Sequence, residues 1–249
     1  MNQDQITEAA RLLVDARRHR TFVDELPVKP ANVDEAHAIQ DAVAARLGEP
    51  VGGFKAAVPP NEQPTRGLIY VSTIHRSPAR IPAASVPLCG VEAEVAFRFR
   101  RDLAPRAEPY SGEEVAGAVE ACAAIEIITS RFKDHTARST LEKLADCVSN
   151  GGFVYAEPRA DWQDLDFSGI HVILAVNGQT VLAQDGGHPT NDPFGTAVTL
   201  VEMMRVGAGV RAGQFVTCGS YTGMRFLKPG DTCTARFEGL GTAEVTFMK

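Results

Sequence analysis

The chain has 249 residues, of which 44% are hydrophobic and 22% charged, and its formal net charge is −6 at pH 7. This length supports a substantial core, and the acidic balance argues against general affinity for nucleic acid. The sequence has no apolar run of about 18 residues, no signal-like N-terminus and five scattered cysteines without a Cys-x-x-Cys pair, so we expect a cytoplasmic protein with reduced thiols.

The N-terminal region, residues 1–50, has the pattern of two helices. The first is predicted from about Gln5 to His19, where apolar residues recur at helical spacing. The second begins after Asn32, because Asn is a favoured N-cap and Glu35 follows at the position of a capping box. It ends at Gly48.

Short strands and Gly/Pro turns dominate residues 51–249, which indicates a mixed β core forming one structural domain with the helices. Because the strands are not regularly separated by helices, a doubly wound fold is not expected. Two helices are predicted to interrupt them, Gly112–Cys122 and Gly195–Val206. The predicted strands are Val51–Ala57, Val91–Arg98, Ala123–Ile128, Gly152–Tyr155, His171–Val176, Thr180–Ala183, Gln214–Thr217, Thr232–Phe237 and Ala243–Met248.

Two of these strands carry isolated carboxylates. Glu92 and Glu94 lie two residues apart, so they point to the same face of their strand, and Glu126 stands alone among apolar residues of another. Like charges on a half-buried strand repel one another unless a cation lies between them. Three carboxylates on rigid strands suit a hard ion such as Mg²⁺. The alternative is that the strands simply present a solvated outer face.

Three further motifs are candidates for substrate binding or proton transfer. Lys55 follows paired glycines at the end of a strand; it is either a surface lysine or a group that binds an anion or transfers a proton. The hydroxyl-rich residues 217–224 form either a carboxylate-binding loop or a tight turn. Asp146 and Ser149 add a polar wall, unless Asp146 caps a local turn.

The segment 131–150 is polar and weakly periodic, and it directly follows the strand that carries Glu126. We predict a mobile loop that closes over the site as a lid, with Arg131 and His135 among its residues. The alternative is an exposed surface helix.

In order and spacing, these motifs resemble the fumarylacetoacetate hydrolase superfamily, and within it the 2-oxopent-4-enoate hydratase / 4-oxalocrotonate decarboxylase branch. The resemblance covers nearly the whole chain and implies an α+β fold, a mixed β-sheet roll or barrel with N-terminal helices, assembled as a homodimer or larger homo-oligomer. The motifs that carry it are Gly53-Phe54-Lys55, Val91–Phe97, Ile125–Ile127 with Ser130-Arg131, Asp146 to Ser149 with Gly151–Val154, and Gly219-Ser220 with Thr222-Gly223.

The resemblance implies that Mg²⁺ or Mn²⁺ is bound by three glutamates, which are Glu92, Glu94 and Glu126. It implies that Lys55 transfers a proton or orients the substrate, and that Ser220 and Thr222 meet the substrate carboxylate. The implied activity is a metal-dependent hydratase, a hydro-lyase, acting on a 2-hydroxydienoate or 2-oxo-alkenoate such as 2-oxopent-4-enoate through a metal-stabilised enolate.

The sequence departs from the branch at three positions. An acidic residue is usual near Val71 and at Thr129, and a threonine is usual at Cys218. These departures leave the three metal-binding glutamates in place and affect residues expected to assist the addition of water. A 2-oxo-acid decarboxylase, an acylpyruvate-type C–C hydrolase and a catalytically weak metal and 2-oxo-acid binding protein therefore remain alternatives.

Overall fold

The computed structural model describes residues 1–249, which form five α-helices and thirteen β-strands. The helices are α1 (Gln3–His19), α2 (Val33–Leu47), α3 (Gly112–Ala116), α4 (Thr140–Ala145) and α5 (Pro193–Arg205). The strands are β1 (Val51–Ala57), β2 (Thr65–Tyr70), β3 (Ile74–Arg76), β4 (Ala79–Pro82), β5 (Gly90–Phe99), β6 (Val119–Ile128), β7 (Asn150–Tyr155), β8 (His171–Val176), β9 (Gln179–Asp185), β10 (Phe215–Ser220), β11 (Arg225–Phe226), β12 (Thr232–Phe237) and β13 (Gly241–Met248). None of the helices is long and apolar enough to cross a membrane.

The strands form two mixed sheets. The larger has the order β2-β1-β10-β5-β6-β7-β3, with β11 paired to β5, and the smaller has the order β4-β13-β12-β8-β9. In the larger sheet β1 runs parallel to β10 and antiparallel to β2. Because β2 also contacts β7, this sheet curves into a half-barrel. The predicted α+β roll with N-terminal helices is confirmed.

The alternation of side chains along β5 decides which face of the half-barrel is polar. Val91, Ala93 and Val95 point into the main hydrophobic core of 44 buried residues, which also contains side chains of the smaller sheet. Glu92 and Glu94 therefore point to the opposite face. That face also holds an apolar cluster of six buried residues, Ile69, Ala96, Cys122, Ala124, Phe153 and Phe215. A shift of register by one residue would exchange the two faces, so the apolar positions specify where the carboxylates lie.

The N-terminal helices pack on the half-barrel through a cluster of 11 buried residues that includes Leu13, Ile39 and, from the β core, Phe132 and Leu144. The division of the chain at residue 50 stays a prediction, since this cluster draws on both sides of it. The Asn32 side chain accepts a hydrogen bond from the Glu35 N–H, as predicted for an N-cap. The reciprocal bond of a capping box is absent, because the Glu35 carboxylate accepts from the Ala31 N–H instead.

The predicted helix Gly112–Cys122 is wrong in its second half. Only Gly112–Ala116 is helical, and the chain from Val119 onward belongs to β6. Val119 to Cys122 pair with Phe99 to Ala96 of β5, and this buried pairing overrides the helical preference of the alanine-rich segment. The sequence also failed to indicate four short strands, which are β2, β3, β4 and β11.

The predicted mobile loop 131–150 is wrong at both ends. Arg131 and Asp146 are buried and bonded to each other, and Thr140–Ala145 forms α4 with a complete capping box at Ser139. Two of the charged residues of this segment, Arg131 and Asp146, form a buried ion pair, so its polar composition does not mean that the whole segment is exposed to solvent. Only residues 133–139 are mostly exposed.

A partly buried histidine joins α2 to the half-barrel and should make stability depend on pH. The Nε2 atom of His37 accepts the Arg66 N–H at 3.1 Å. Burial, and then the charge of Arg66, lower the pKa of His37 to about 4 from an ordinary value of 6.5. The neutral form is therefore favoured in the folded state, and its contribution to stability is lost as the pH falls from about 6.5 towards 4.

We expect wild-type protein to lose about 1–2 kcal/mol of unfolding free energy from this residue between about pH 7 and pH 5, discounted for partial exposure. The substitution His37→Gln retains a hydrogen-bond acceptor but cannot take up a proton. Urea unfolding of both proteins at the two pH values measures the difference. An equal loss of stability in both would contradict the assignment.

Candidate metal centre and active site

Three carboxylates converge on the concave face of the half-barrel. Glu92 of β5 lies directly opposite Glu126 of β6 in the antiparallel register, and Glu94 follows two residues along β5. One oxygen of each can be chosen so that all three lie within 4.8 Å of one another. Glu94 and Glu126 are fully buried, whereas Glu92 is partly exposed. The predicted faces and the predicted convergence of these carboxylates are therefore present.

Lys55 is the one cation in direct contact with this cluster. Its Nζ atom lies 2.7 Å from Glu126 Oε2 and 3.3 Å from Glu92 Oε2, so it is not a free surface lysine. The strand register brings it there, because Lys55 of β1 is paired with Thr217 of β10, next to β5. The cluster thus sets three carboxylates against one ammonium group.

The pKa shifts of these groups indicate that one ammonium group does not neutralise three buried or partly buried carboxylates. Burial raises the pKa of Glu126 to about 8, although Lys55 opposes the shift, and burial likewise raises the pKa of Glu94. Burial alone would lower the pKa of Lys55, but the carboxylates, Glu126 foremost, outweigh it and raise that pKa above its ordinary value. A second positive charge would stabilise the ionised carboxylates.

Protein donors hold some carboxylate oxygens and leave others without a partner. Glu94 Oε2 accepts from the Thr217 hydroxyl and from the Gly219 N–H at 2.8 Å. Glu126 Oε1 accepts from Asn150 Nδ2 at 2.9 Å. Glu94 Oε1 is buried and has no hydrogen-bond partner. A buried acceptor without a hydrogen-bond partner is costly, and a bound cation would remove that cost. Mg²⁺ and Mn²⁺ prefer oxygen ligands, and all three side chains offer carboxylate oxygens, so these residues fit such an ion.

Asn150 is positioned by the segment before it. Cys147, Val148 and Ser149 all have left-handed backbone conformations, with φ of 54°, 54° and 59°. Such conformations are strained for residues other than glycine and persist only where the surroundings enforce them. Here Arg131 Nη1 donates to the Asn150 carbonyl at 2.8 Å. The side chain of Asn150 can then reach Glu126.

The substitution Asn150→Ala should weaken Mg²⁺ binding by about 10–100-fold, the usual cost of losing a partner that orients a metal ligand. The reason is that Glu126 Oε1 loses its donor. Isothermal titration calorimetry measures the affinity, and Asn177→Ala, in the exposed β8–β9 turn, is a control. Equal affinities for Asn150→Ala and wild type would show that Asn150 does not orient Glu126.

The predicted roles of Asp146 and Arg131 need correction. Asp146 accepts hydrogen bonds from the Arg131 side chain and from the Arg131 N–H at 2.9 Å, and the Arg17 Nη2 atom lies 3.6 Å from it. Buried and fully occupied by these partners, Asp146 supports the segment that carries Asn150 and does not face a substrate. Arg131 is likewise a buried part of this support and not a residue of a lid.

The other predicted residues lie near the cluster. Ser220 is paired with Glu94 across β10 and β5, and its hydroxyl accepts the Thr222 N–H at 3.3 Å. The Thr222 hydroxyl accepts the Ala93 N–H at 3.2 Å. Ser149 is buried next to Asn150. Substrate contacts by Ser220, Thr222 and Ser149 stay predictions.

His135 lies in the exposed residues 133–139. Its ring is 6.1 Å from that of Phe226, which is paired with Gly90, two residues before Glu92. Val71, near which an acid was expected, is 52% exposed in a turn after β2. Of the segment 131–150 predicted as a lid, only residues 133–139 are exposed enough to move over the site, and a lid role for them stays a prediction.

A family model described as "Fumarylacetoacetate (FAA) hydrolase C-terminal" matches residues 44–248. The chain belongs to the fumarylacetoacetate hydrolase family.

Similar proteins agree with this assignment. The chain is 32% identical over 189 residues to a 2-keto-4-pentenoate hydratase of Paraburkholderia phymatum, covering 75% of this chain and 71% of the relative. It is 28% identical to the enzyme of that name from Paraburkholderia xenovorans, covering 99% and 96%. The solved structure of 4-oxalocrotonate decarboxylase from Pseudomonas putida G7, complexed with magnesium and adipate, has a TM-score of 0.82 at 19% identity and covers 100% of this chain and 99% of its own.

These findings confirm the predicted family and support an enzyme over a non-catalytic binding protein. Residues 217–224 were predicted as a carboxylate-binding loop or a tight turn, but the contacts of Thr217 and the Gly219 N–H with Glu94, and of Asn150 with Glu126, were not predicted. Thr217 gave a faint signal, because it lies two residues from Phe215 and so shares a face of the strand with it. Asn150 gave none, since only the folded path of residues 146–150 brings it to Glu126.

Proposed function

We propose that this protein is a divalent-metal-dependent hydratase that acts on a 2-hydroxydienoate or 2-oxo-alkenoate, such as 2-oxopent-4-enoate. The observation that carries the proposal is the cluster of three carboxylates around Lys55 in a chain whose relatives are named 2-keto-4-pentenoate hydratases. Glu92, Glu94 and Glu126 would hold Mg²⁺ or Mn²⁺. The magnesium in the similar decarboxylase structure supports the first of these ions.

A cation held by these carboxylates would supply a positive charge that draws electrons towards the keto and carboxylate oxygens of a 2-oxo acid. Lys55 is the group of this chain placed to move a proton. Lys55 carries a proton at neutral pH and would donate it to the far carbon of the dienoate, while the 2-hydroxyl group releases its proton and becomes the ketone. Water would then add its hydroxyl group to C4 and a proton to C3 of the remaining double bond, and the proton released from the 2-hydroxyl group would restore the ammonium form of Lys55.

The hydroxyls of Ser220 and Thr222 would bind and orient the substrate carboxylate. Ser220 is the last residue of β10, the strand whose Thr217 holds Glu94, and Thr222 lies two residues beyond it. One strand therefore positions both a proposed metal ligand and the proposed carboxylate-binding hydroxyls. The apolar residues on the same face of the sheet as the carboxylates, Phe153 and Phe215 among them, would limit the access of bulk water to the reacting carbons.

A decarboxylase is the second candidate, because the structure with a TM-score of 0.82 is that of 4-oxalocrotonate decarboxylase. The same electron-withdrawing centre would serve loss of carbon dioxide. The relatives named as hydratases have the higher identities and favour hydration.

We also propose that the protein is a cytoplasmic homo-oligomer and takes part in the breakdown of aromatic compounds.

The experiment is turnover of freshly generated 2-hydroxypenta-2,4-dienoate by enzyme freed of metal with EDTA and then resupplied with Mg²⁺. We expect the absorbance of the dienoate to disappear only with Mg²⁺, and NMR to identify 4-hydroxy-2-oxopentanoate. Release of carbon dioxide from 4-oxalocrotonate, without turnover of the dienoate, would favour the decarboxylase. Lack of turnover of either compound with Mg²⁺ or Mn²⁺ would contradict both candidates.

A further inference from the structure

A large exposed aromatic residue, Phe226 of β11, lies close to the carboxylate cluster. It is 55% exposed, the highest value among the aromatic residues of the chain. Strand β5 pairs with β6 along one side, and along the other side with β10 and then β11. In the last of these pairings Phe226 is opposite Gly90, which is separated from Glu92 by about 7 Å along β5.

The strand register places Phe226 on the face that carries the carboxylates. Gly90 and Glu92 are two residues apart and share a face of β5, and residues directly opposite each other in an antiparallel pair point to the same face. The next residue, Leu227, points the other way and packs against the main hydrophobic core. Because Gly90 has no side chain, that position of β5 leaves the Phe226 ring uncovered.

His135 borders the Phe226 ring on one side. The two ring centres are 6.1 Å apart, and the ring planes are inclined at 62° to each other. His135 itself is half-buried. The contact helps to orient the Phe226 ring but leaves the residue exposed, so an apolar surface is available on the same face as Glu92.

The charges around Phe226 disfavour a second anion at this place. Glu92 shares the face and is partly exposed, and the ammonium group of Lys55 already contacts both Glu92 and Glu126. Arg225 alternates with Phe226 and points to the opposite face. A carbon chain that packs on Phe226 gains by leaving water, whereas a carboxylate there would lose hydration beside another carboxylate.

We propose that Phe226 is a specificity-determining residue, whose ring packs against the carbon chain of the substrate beyond its metal-bound 2-oxo-acid end. Substrates with an apolar distal end are therefore preferred to substrates that end in a second carboxylate. This proposal rests on the proposed metal centre and 2-oxo-acid substrate, and it adds the class of distal group that the site accepts.

The test is isothermal titration calorimetry of the full-length protein at saturating Mg²⁺ with two 2-oxo acids of equal length. They are 2-oxohexanoate, which ends in a methyl group, and 2-oxoadipate, which ends in a carboxylate. We expect wild type to bind 2-oxohexanoate more tightly by about fivefold or more. Phe226→Ala should weaken that binding about 4–15-fold, as expected for one or two methylene groups that are no longer buried. Binding of 2-oxobutyrate, whose chain stops short of the ring, should not change.

Three further variants make the result specific. Phe226→Leu keeps an apolar side chain and should retain most of the affinity for 2-oxohexanoate. Phe226→Arg supplies a cation and should reverse the preference in favour of 2-oxoadipate. Val181→Ala shortens another exposed apolar residue, on β9 of the smaller sheet, and should bind both compounds like wild type.

The proposal would be overturned if wild type bound 2-oxoadipate as tightly as 2-oxohexanoate, the result expected if Lys133 or His135 received the distal carboxylate. Equal binding of 2-oxohexanoate by Phe226→Ala and Val181→Ala, or no binding of either 2-oxo acid by wild type, would also overturn it. The dienoate assay reports on the hydratase separately. The expected preference without dienoate turnover would refute the hydratase alone, whereas turnover with equal affinities in those two variants would refute only the role of Phe226.

Discussion

Replacing Glu126 by Gln should abolish Mg²⁺-dependent turnover and weaken Mg²⁺ binding by more than about 100-fold, a larger effect than loss of an orienting partner. The amide keeps the shape of the side chain and can still accept from Asn150, but it removes the anionic oxygen that the cluster contributes to a cation. Calorimetry of the EDTA-treated protein measures the affinity, and the dienoate assay measures the turnover.

The same substitution should not destabilise the metal-free protein. Burial raises the pKa of Glu126 to about 8, so its ionised form is unfavourable in the folded state without a second cation. Thermal unfolding should therefore give Glu126→Gln a melting temperature equal to or above that of wild type in EDTA, and only wild type should gain stability from Mg²⁺.

A matched control is available on the same strand. Glu120→Gln removes one carboxylate from β6 at a position opposite Arg98, outside the cluster. It should retain both Mg²⁺ affinity and turnover. If Glu126→Gln and Glu120→Gln bound Mg²⁺ equally well, the carboxylate cluster would not be the metal site.

Replacing Lys55 by Met should lower kcat by roughly 10²–10⁴-fold, the contribution typical of a positioned acid or base. Its ammonium group is 2.7 Å from Glu126 and competes with any other cation for the carboxylates. Mg²⁺ affinity should accordingly be retained or increased, in contrast to its loss in Glu126→Gln. Steady-state assays at saturating Mg²⁺, together with calorimetry, separate the two effects.

Lys55→Arg distinguishes proton transfer from simple attraction. Arginine keeps the positive charge but does not release a proton near neutral pH. If Lys55 transfers a proton, Lys55→Arg should be nearly as inactive as Lys55→Met. Full activity of Lys55→Arg, or a kcat of Lys55→Met within about tenfold of wild type, would contradict that role.

The sequence predicted the parts of this structure that depend on local periodicity. The alternation along Val91–Phe97 correctly put Glu92 and Glu94 on one face, because the apolar residues between them have to enter the core. The N-cap at Asn32 and the helix end at Gly48 were likewise readable, since both depend on a few neighbouring residues.

The errors lie where distant contacts decide the conformation. Residues 119–122 look helical in isolation and become a strand because β5 pairs with them. The segment 131–150 looks like a polar surface loop because its charges are read one at a time. Folding joins Arg131 to Asp146 and buries both, and no local pattern reveals that pairing.

The most direct test of the account is a crystal structure of the protein with Mn²⁺ and oxalate, in which anomalous scattering locates the ion. We predict one strong peak bonded to carboxylate oxygens of Glu92, Glu94 and Glu126, at the roughly 2.0–2.6 Å usual for hard cations, with oxalate completing its coordination. An ion bound elsewhere, or a cluster still closed by Lys55 with no anomalous peak at saturating Mn²⁺, would contradict the account.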